Sequence, residues 1–513
     1  MKKFISIFLC IAILCSLCSC SFSLTEATFT MGVLEGAKSL DPLESQSEIE
    51  RIISTNCFEG LLRFDSNGKI NLAGATAYTI EKNGLSYIFK LNPDAKWYIS
   101  KEIAVTLESL GLTEFDESIT AEDYVFGFER FKQLHPQKVS KVKNVAAVDS
   151  HTLEITLSQI DHELLYKLAA LPIYPCDEEF YTSAGRVYAT TPETVLSNGA
   201  YYIEQSSPAE TIIKRNPHHN GNIQILNKHI VLYTTGVKEN LAERFKDGSY
   251  NLLVADTRDT VFGQESTSAS YDSIWGLAFN CKSKLGASGS FRTALLSGIS
   301  DISTLELPEF ALERADFVFP HSATNGDVTC GDFTWEKTTF KGDPKKAAET
   351  LDALMKNYKV TEYKVTFAAP AEMETTAKKI VEDWKTAFGE KIEITLTLFD
   401  RAQVNEVMAK GEYDLGILPL SNQTNTAAAI LDSFSQAPCN CEVRSLKTLQ
   451  NGLSSVANEN AAVFMKADKL VIESGVFVPL FYTGKALFIN SGYKGVYIAD
   501  GGNLVYFHEG EES

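Results

Sequence analysis

Among the side chains able to do chemistry, the sharpest local pattern is His162-Glu163-Leu164-Leu165-Tyr166. It opens like the two-histidine helical zinc motif but ends in Tyr, so one helix face cannot chelate zinc from it. Cys439-Asn440-Cys441 is a thiol pair that could hold metal or change redox state. No His or carboxylate stands at ligand spacing beside it, and an exposed loop with two thiols is the expectation. His218-His219 is an adjacent pair, whose side chains diverge in extended backbone, so a solvated turn is expected there. Asp65-Ser66-Asn67-Gly68 opens like a calcium loop but lacks the distal Glu, and a β-turn accounts for it. In the 475–485 stretch Pro479 stands where a phosphate-binding loop needs its first glycine. There is no Gly-x-Ser-x-Gly and no glycine-rich fingerprint between a strand and a helix. No nucleophile with a paired base can be named, so no catalytic residue, metal or cofactor is assigned and the chain is read as a non-enzyme. Binding is the chemistry that remains.

Composition sets the frame for that binding. The chain has 513 residues, 44% hydrophobic and 22% charged, which implies two or three domains of a globular protein. A formal net charge of −19 excludes nucleic acid as a partner, since no basic stripe is present to neutralise phosphates. Met1-Lys2-Lys3 and the apolar residues 4–17 have the form of a signal segment too short to span a bilayer, and no later run is long enough to do so. Of ten cysteines, four fall in that leader. Cys57 and Cys281 sit in apolar runs and are expected to behave as small core residues.

The elements that would carry a binding site can be read in order. Residues 28–34 form a first strand and a helix begins near Ser47. Residues 56–97 read as a β-meander: Phe58 to Leu62 enters the core, Asn83-Gly84 is a hairpin turn, and Leu85, Tyr87, Phe89 and Leu91 alternate. Thr120 caps a helix with Glu122 and Asp123 in its first turn. Residues 144–157 form a hairpin about Asp149-Ser150. In the last third, Asp343 caps and Pro344 opens a helix whose Ala347, Ala348, Leu351, Leu354 and Met355 share a face. Strands at 363–368, 392–399 and 413–418 alternate with helices, which implies a mostly parallel sheet.

The ordered series of motifs resembles the family 5 extracellular solute-binding proteins, the oligopeptide-, dipeptide- and nickel-binding components of ABC importers. It runs from Ser39-Leu40-Asp41-Pro42 through Phe58-Glu59-Gly60-Leu61, Gly84-Leu85-x-Tyr87-x-Phe89-x-Leu91, Lys96-Trp97, Thr120-Ala121-Glu122-Asp123 and Ser197-Asn198-Gly199-Ala200-Tyr201. It continues through Trp275 to Asn280 and Phe291-Arg292-Thr293-Ala294-Leu295 to Val478-Pro479-Leu480-Phe481-Tyr482. An insertion at 98–118 departs from it.

The resemblance implies an α/β, two-lobed periplasmic-binding-protein-like fold of type II, in the large peptide-binding cluster, with an extra domain in the N-terminal lobe. The expected division is a signal peptide at 1–19, lobe I at 20–70, 191–290 and 486–513, the extra domain at 71–190, and lobe II at 291–485. Leu17-Cys18-Ser19-Cys20 resembles a lipobox, which implies lipidation at Cys20 and an extracytoplasmic monomer tethered to a bacterial membrane. The implied partners are a peptide and an ABC permease with its ATPase. A nickel chelate, a sugar, a modified peptide or a surface interaction role are the alternatives. The implied crevice residues are Gln46, Glu48, Asn280, Leu420, Gln423, Asn425 and Tyr482. Relatives hold the peptide amine with an Asp where this chain has Gln423. An amide accepts a hydrogen bond but cannot neutralise a buried cation, so the ligand is expected to lack a free amine at that point or to bind in another register.

Overall fold

The computed structural model describes residues 28–508 apart from 82, 222, 257–264, 327, 335, 337–341, 421–423, 443, 454–456 and 500–503. Its spine is an eleven-stranded mixed sheet. In spatial order the strands are Ile392–Phe399, Tyr363–Pro370, Leu415–Pro419, Ser268–Phe279, Phe477–Ile489, Leu252–Ala255, Thr28–Val33, His229–Thr234, Glu210–Arg215 and Tyr201–Ser206, with Glu313–Arg314 paired off the main path. The expected parallel pairing holds where helices alternate with strands: Tyr363–Pro370 lies parallel to both Ile392–Phe399 and Leu415–Pro419. The two long central strands, Ser268–Phe279 and Phe477–Ile489, are antiparallel to each other and make the sheet mixed.

Those two strands join separate cores. Leu487 packs with Phe29, Ile230 and Leu252 in the core of one lobe. Leu277, Phe279, Val478 and Phe481 pack with Phe367, Ile380 and Trp384 in the other. On the opposite sheet face Ala278 and Phe477 meet Phe464, Ala467 and Val471. The pairing of the strands shifts register between Tyr271 and Ser273, opposite Thr483 and Gly484. Gly484 is needed there because a Cβ would stand 1.9 Å from the Ser270 carbonyl oxygen. A bulge of this kind bends a strand pair locally.

The third body is a four-stranded antiparallel sheet, in the order Ala75–Ile80, Ser86–Leu91, Thr152–Leu157 and Val142–Asp149. The expected single meander is divided. Leu62–Phe64 pairs with Ile70–Leu72 as a separate hairpin, while Ser86–Leu91 pairs onward with Thr152–Leu157. The Asn83-Gly84 turn does join its two strands, with Gly84 at φ 68°. The 98–118 insertion supplies a helix, Lys101–Ser109, capped by the Ser100 hydroxyl and anchored by buried Ile103 and Leu107. Phe89, Trp97, Phe128 and Phe131 are buried in the same core, so they serve packing. Buried Asp41 pairs with Arg130 at 2.5 Å and fixes the Ser-Leu-Asp-Pro turn against the Ala121–Leu134 helix.

The cysteines depart from expectation. Cys281 and Cys441 form a disulfide with Cα atoms 5.2 Å apart, so Cys281 is not a free core thiol. Cys439 and Cys441 are both buried, not displayed on an exposed loop, because the Cys281 amide donates to the Cys439 carbonyl at 2.7 Å and draws the segment into the core. The His219 side chain is likewise buried instead of solvated: its Nε2 lies 3.1 Å from Glu59 Oε2, which replaces water as its partner.

Candidate functional site

The bulged strand pair floors a cleft of about 960 Å³. Asp272, Ser273 and Trp275 enter it from one strand, Thr483, Gly484 and Lys485 from the other, and Pro419 and Leu420 from the neighbouring strand end. The Ala427–Ser433 helix adds Ala428, Ala429 and Asp432. Lys141, His162 and Glu163 close it from the four-stranded body. Trp275 stacks on Phe481 at 5.9 Å and meets the Phe310 edge at 5.5 Å, and the Arg401 guanidinium lies 4.2 Å above Phe310. The result is an aromatic wall with a cation at its rim.

Charges in this cleft balance. Four carboxylates (Glu163, Asp256, Asp272, Asp432) face four cations (Lys141, Arg401, Lys447, Lys485). Asp256 pairs with Lys485, and with Lys238 at 3.1 Å. Burial opposes its ionisation, but those two ammonium groups outweigh that and hold its carboxyl below the ordinary value. Asp432 pairs with Lys447 at 3.3 Å, and Asp272 accepts from the Thr483 hydroxyl at 2.6 Å. Burial and then Lys141 lower the His162 pKa, so its imidazole is neutral at pH 7.

Glu163 divides this cleft from a second compartment of about 480 Å³, which it also lines. Its Oε1 accepts from the Thr424 hydroxyl at 2.7 Å and the Thr426 hydroxyl at 3.3 Å. Its Oε2 lies 3.1 Å from Lys167 Nζ. Lys167 also bonds buried Asp161 at 2.9 Å, and Lys141 reaches Asp161 at 3.1 Å. Residues 261 positions apart are thus joined at the edge of the smaller compartment.

The residues singled out in the sequence separate into three groups. Leu420 lines the larger cleft. Gln46 and Glu48 are exposed beside the Ser47 cap and line neither compartment, although Ser45 and Arg51 on either side line the smaller one. Asn280, Asn425 and Tyr482 are buried and committed elsewhere. Asn280 donates to the Gly411 and Tyr413 carbonyls at 3.1 and 3.2 Å and accepts from the Lys282 amide and Asn440. Asn425 donates to the Ser322 hydroxyl at 2.6 Å, and the Tyr482 hydroxyl donates to the Phe317 carbonyl at 2.7 Å. With their polar atoms so engaged, these three brace the walls. Gln423 and Cys20 lie outside the described residues. Glu163, Arg51 and Lys138 were not marked by the sequence pattern. The only signal was the His162-Glu163 pair, which failed as a zinc motif.

Among the described residues no group of three or more His, Cys, Asp or Glu side chains is placed to hold a metal ion. No helix of the described residues is long and apolar enough to cross a membrane. The family model for bacterial extracellular solute-binding proteins, family 5 (middle region), matches residues 69–440, well over half of the chain. The chain belongs to this family. Its members are solute-binding proteins and not enzymes as a class. AmiA of Streptococcus pneumoniae, an oligopeptide-binding protein, is 23% identical over 367 residues, covering 61% of this chain and 55% of AmiA. The chain therefore spans little more than half the length of that relative. The murein tripeptide-binding protein MppA, in its unliganded open form, superposes with a TM-score of 0.73 at 17% identity over 95% of this chain and 98% of its own. HbpA2 of Haemophilus parasuis gives 0.73 at 14% identity over 94% of this chain and all of its own. These likenesses establish the two-lobed α/β fold.

Proposed function

We propose that this protein is the extracytoplasmic binding component of a peptide-type ABC importer, capturing an oligopeptide between its lobes and handing it to a membrane permease with its ATPase. The observation that carries this reading is the cleft between cores, about 960 Å³, floored by the bulged strand pair and bordered by Glu163. That volume is at the upper end of the roughly 300–1,000 Å³ typical of small-ligand sites, which suits a short chain molecule more than an ion. With Asp256 and Asp432 paired to lysines, aromatic surface and backbone carry much of the holding, the mode that grips an extended peptide with little regard for side chains. Closure about the bulge would bury the ligand. Lipidation at Cys20 and a monomeric state complete the proposal.

Thermal-shift screening of the full chain against a random short-peptide library tests it. A ligand that binds only the folded state raises the unfolding temperature, by about 2.7 kcal/mol of stabilisation at a hundredfold excess over Kd. Stabilisation by a metal chelate or a sugar, with none by any peptide, would replace the peptide by that ligand.

A further inference from the structure

The smaller compartment differs from the larger in charge. Its lining contains one carboxylate, Glu163, and three cations, Arg51, Lys138 and Lys167. Lys167 is taken up by Asp161 and Glu163. Both Glu163 oxygens are in turn occupied, one by Lys167 and the other by the Thr424 and Thr426 hydroxyls. Most of the charge on that carboxylate is therefore answered by Lys167. Arg51 and Lys138 remain, both exposed and with no carboxylate at ion-pair distance among the described residues. The lining of this cavity is thus net positive although the chain as a whole carries −19.

We propose that this compartment is a carboxylate-binding subsite, in which Arg51 and Lys138 hold an anionic group of the ligand beside Thr424. The guanidinium offers a planar fork matched to a carboxylate and the ammonium adds a point charge. Ser54 and Thr55, from the same helix as Arg51, also line the cavity. Leu171, Pro172 and Leu504 add apolar wall to the same cavity. A ligand ammonium seated here would meet net repulsion. The carboxylate could be the terminus of a peptide or an acidic side chain.

This inference rests on ligand capture in the cleft, and its test separates the two. Isothermal titration of the full chain at fixed ionic strength would use random tetrapeptides in four forms: free, C-amidated, N-acetylated, and free but lacking Asp and Glu. Amidation is expected to weaken binding about tenfold, as for loss of one charge-assisted pair. Acetylation is expected to change it less than twofold, and Arg51→Gln with Lys138→Gln to abolish the difference between free and amidated forms. Indifference to amidation with a tenfold loss on removing Asp and Glu assigns the subsite to a side-chain carboxylate. Indifference to both, or loss on acetylation alone, overturns the subsite. If no peptide form binds, the peptide reading fails and 10 mM glutarate decides the subsite by thermal shift. A rise in the wild type that is absent from the double variant supports it; equal behaviour of the two proteins overturns it.

Discussion

The four-stranded body and the cleft floor are built from opposite kinds of contact. Apart from Tyr497, Ala499, Leu504 and Tyr506, the buried core of the first comes from one stretch, Leu61 to Leu196. The floor of the second brings together strands centred near 273, 417 and 483. Both are held by apolar burial, around Phe89 and Trp97 in the local body and around Leu277, Phe279 and Phe481 under the floor, but the floor joins segments far apart in the chain. A unit whose contacts are local can open alone; a floor whose contacts are remote fails only with the whole sheet.

Phe89→Ala should give the largest effect that tests this contrast. Truncating a fully buried ring costs about 3–5 kcal/mol. Hydrogen exchange should quicken in the Ser86–Leu91 and Thr152–Leu157 strands while Tyr363–Pro370 stays protected. Equal loss of protection in both would abolish the distinction.

Asn280→Ala comes next. It strands two carbonyls and a backbone amide, and should lower stability in urea by about 1–3 kcal/mol while ligand affinity holds. Weakened binding at unchanged stability would make Asn280 a contact residue after all. Thr424→Val keeps the side chain's shape but deletes the donor to Glu163. It should lower stability in urea by about 1 kcal/mol and ligand affinity about fivefold, and an unmoved midpoint would mean that the bond contributes nothing in the free protein.

A shallow pH dependence is the smallest effect. Burial opposes ionisation of Asp161, but Lys167 and Lys141 prevail and lower its folded-state pKa. Its contribution to stability is therefore complete above the ordinary carboxylate value of about 3.9 and is lost as pH falls through the lower folded-state value. Asp161→Asn should flatten the acid limb of a stability profile. An unchanged limb would mean that the pair contributes nothing there.

The same contrast explains what the sequence disclosed. Asn83-Gly84, the Thr120 and Asp343 helix starts and the alternation through Phe89 depend on neighbours a few residues away, and each is where the spacing placed it. Turn chemistry and periodicity are properties of short windows. The Cys281–Cys441 bond joins positions 160 apart, and the Glu163–Thr424 bond joins positions 261 apart. No window contains either. Asn280 and Tyr482 lie near a crevice in sequence order, yet only three-dimensional pairing reveals that backbone carbonyls already claim them. Glu163 had a local partner in Lys167, four residues on, but its bond to Thr424 exists only in the fold.

The bulge at Tyr271 to Ser273 has a mechanical consequence. A sheet bends more readily across its plane than within it, so a register shift in the two central strands would favour bending of the lobes at that point. Asp272, Ser273, Thr483 and Gly484 make that point part of the cleft's lining. A molecule lying on them acts as a splint laid over a joint. Occupancy and rigidity would then rise together, and the lifetime of the closed form would be set by how firmly the guest spans the bend.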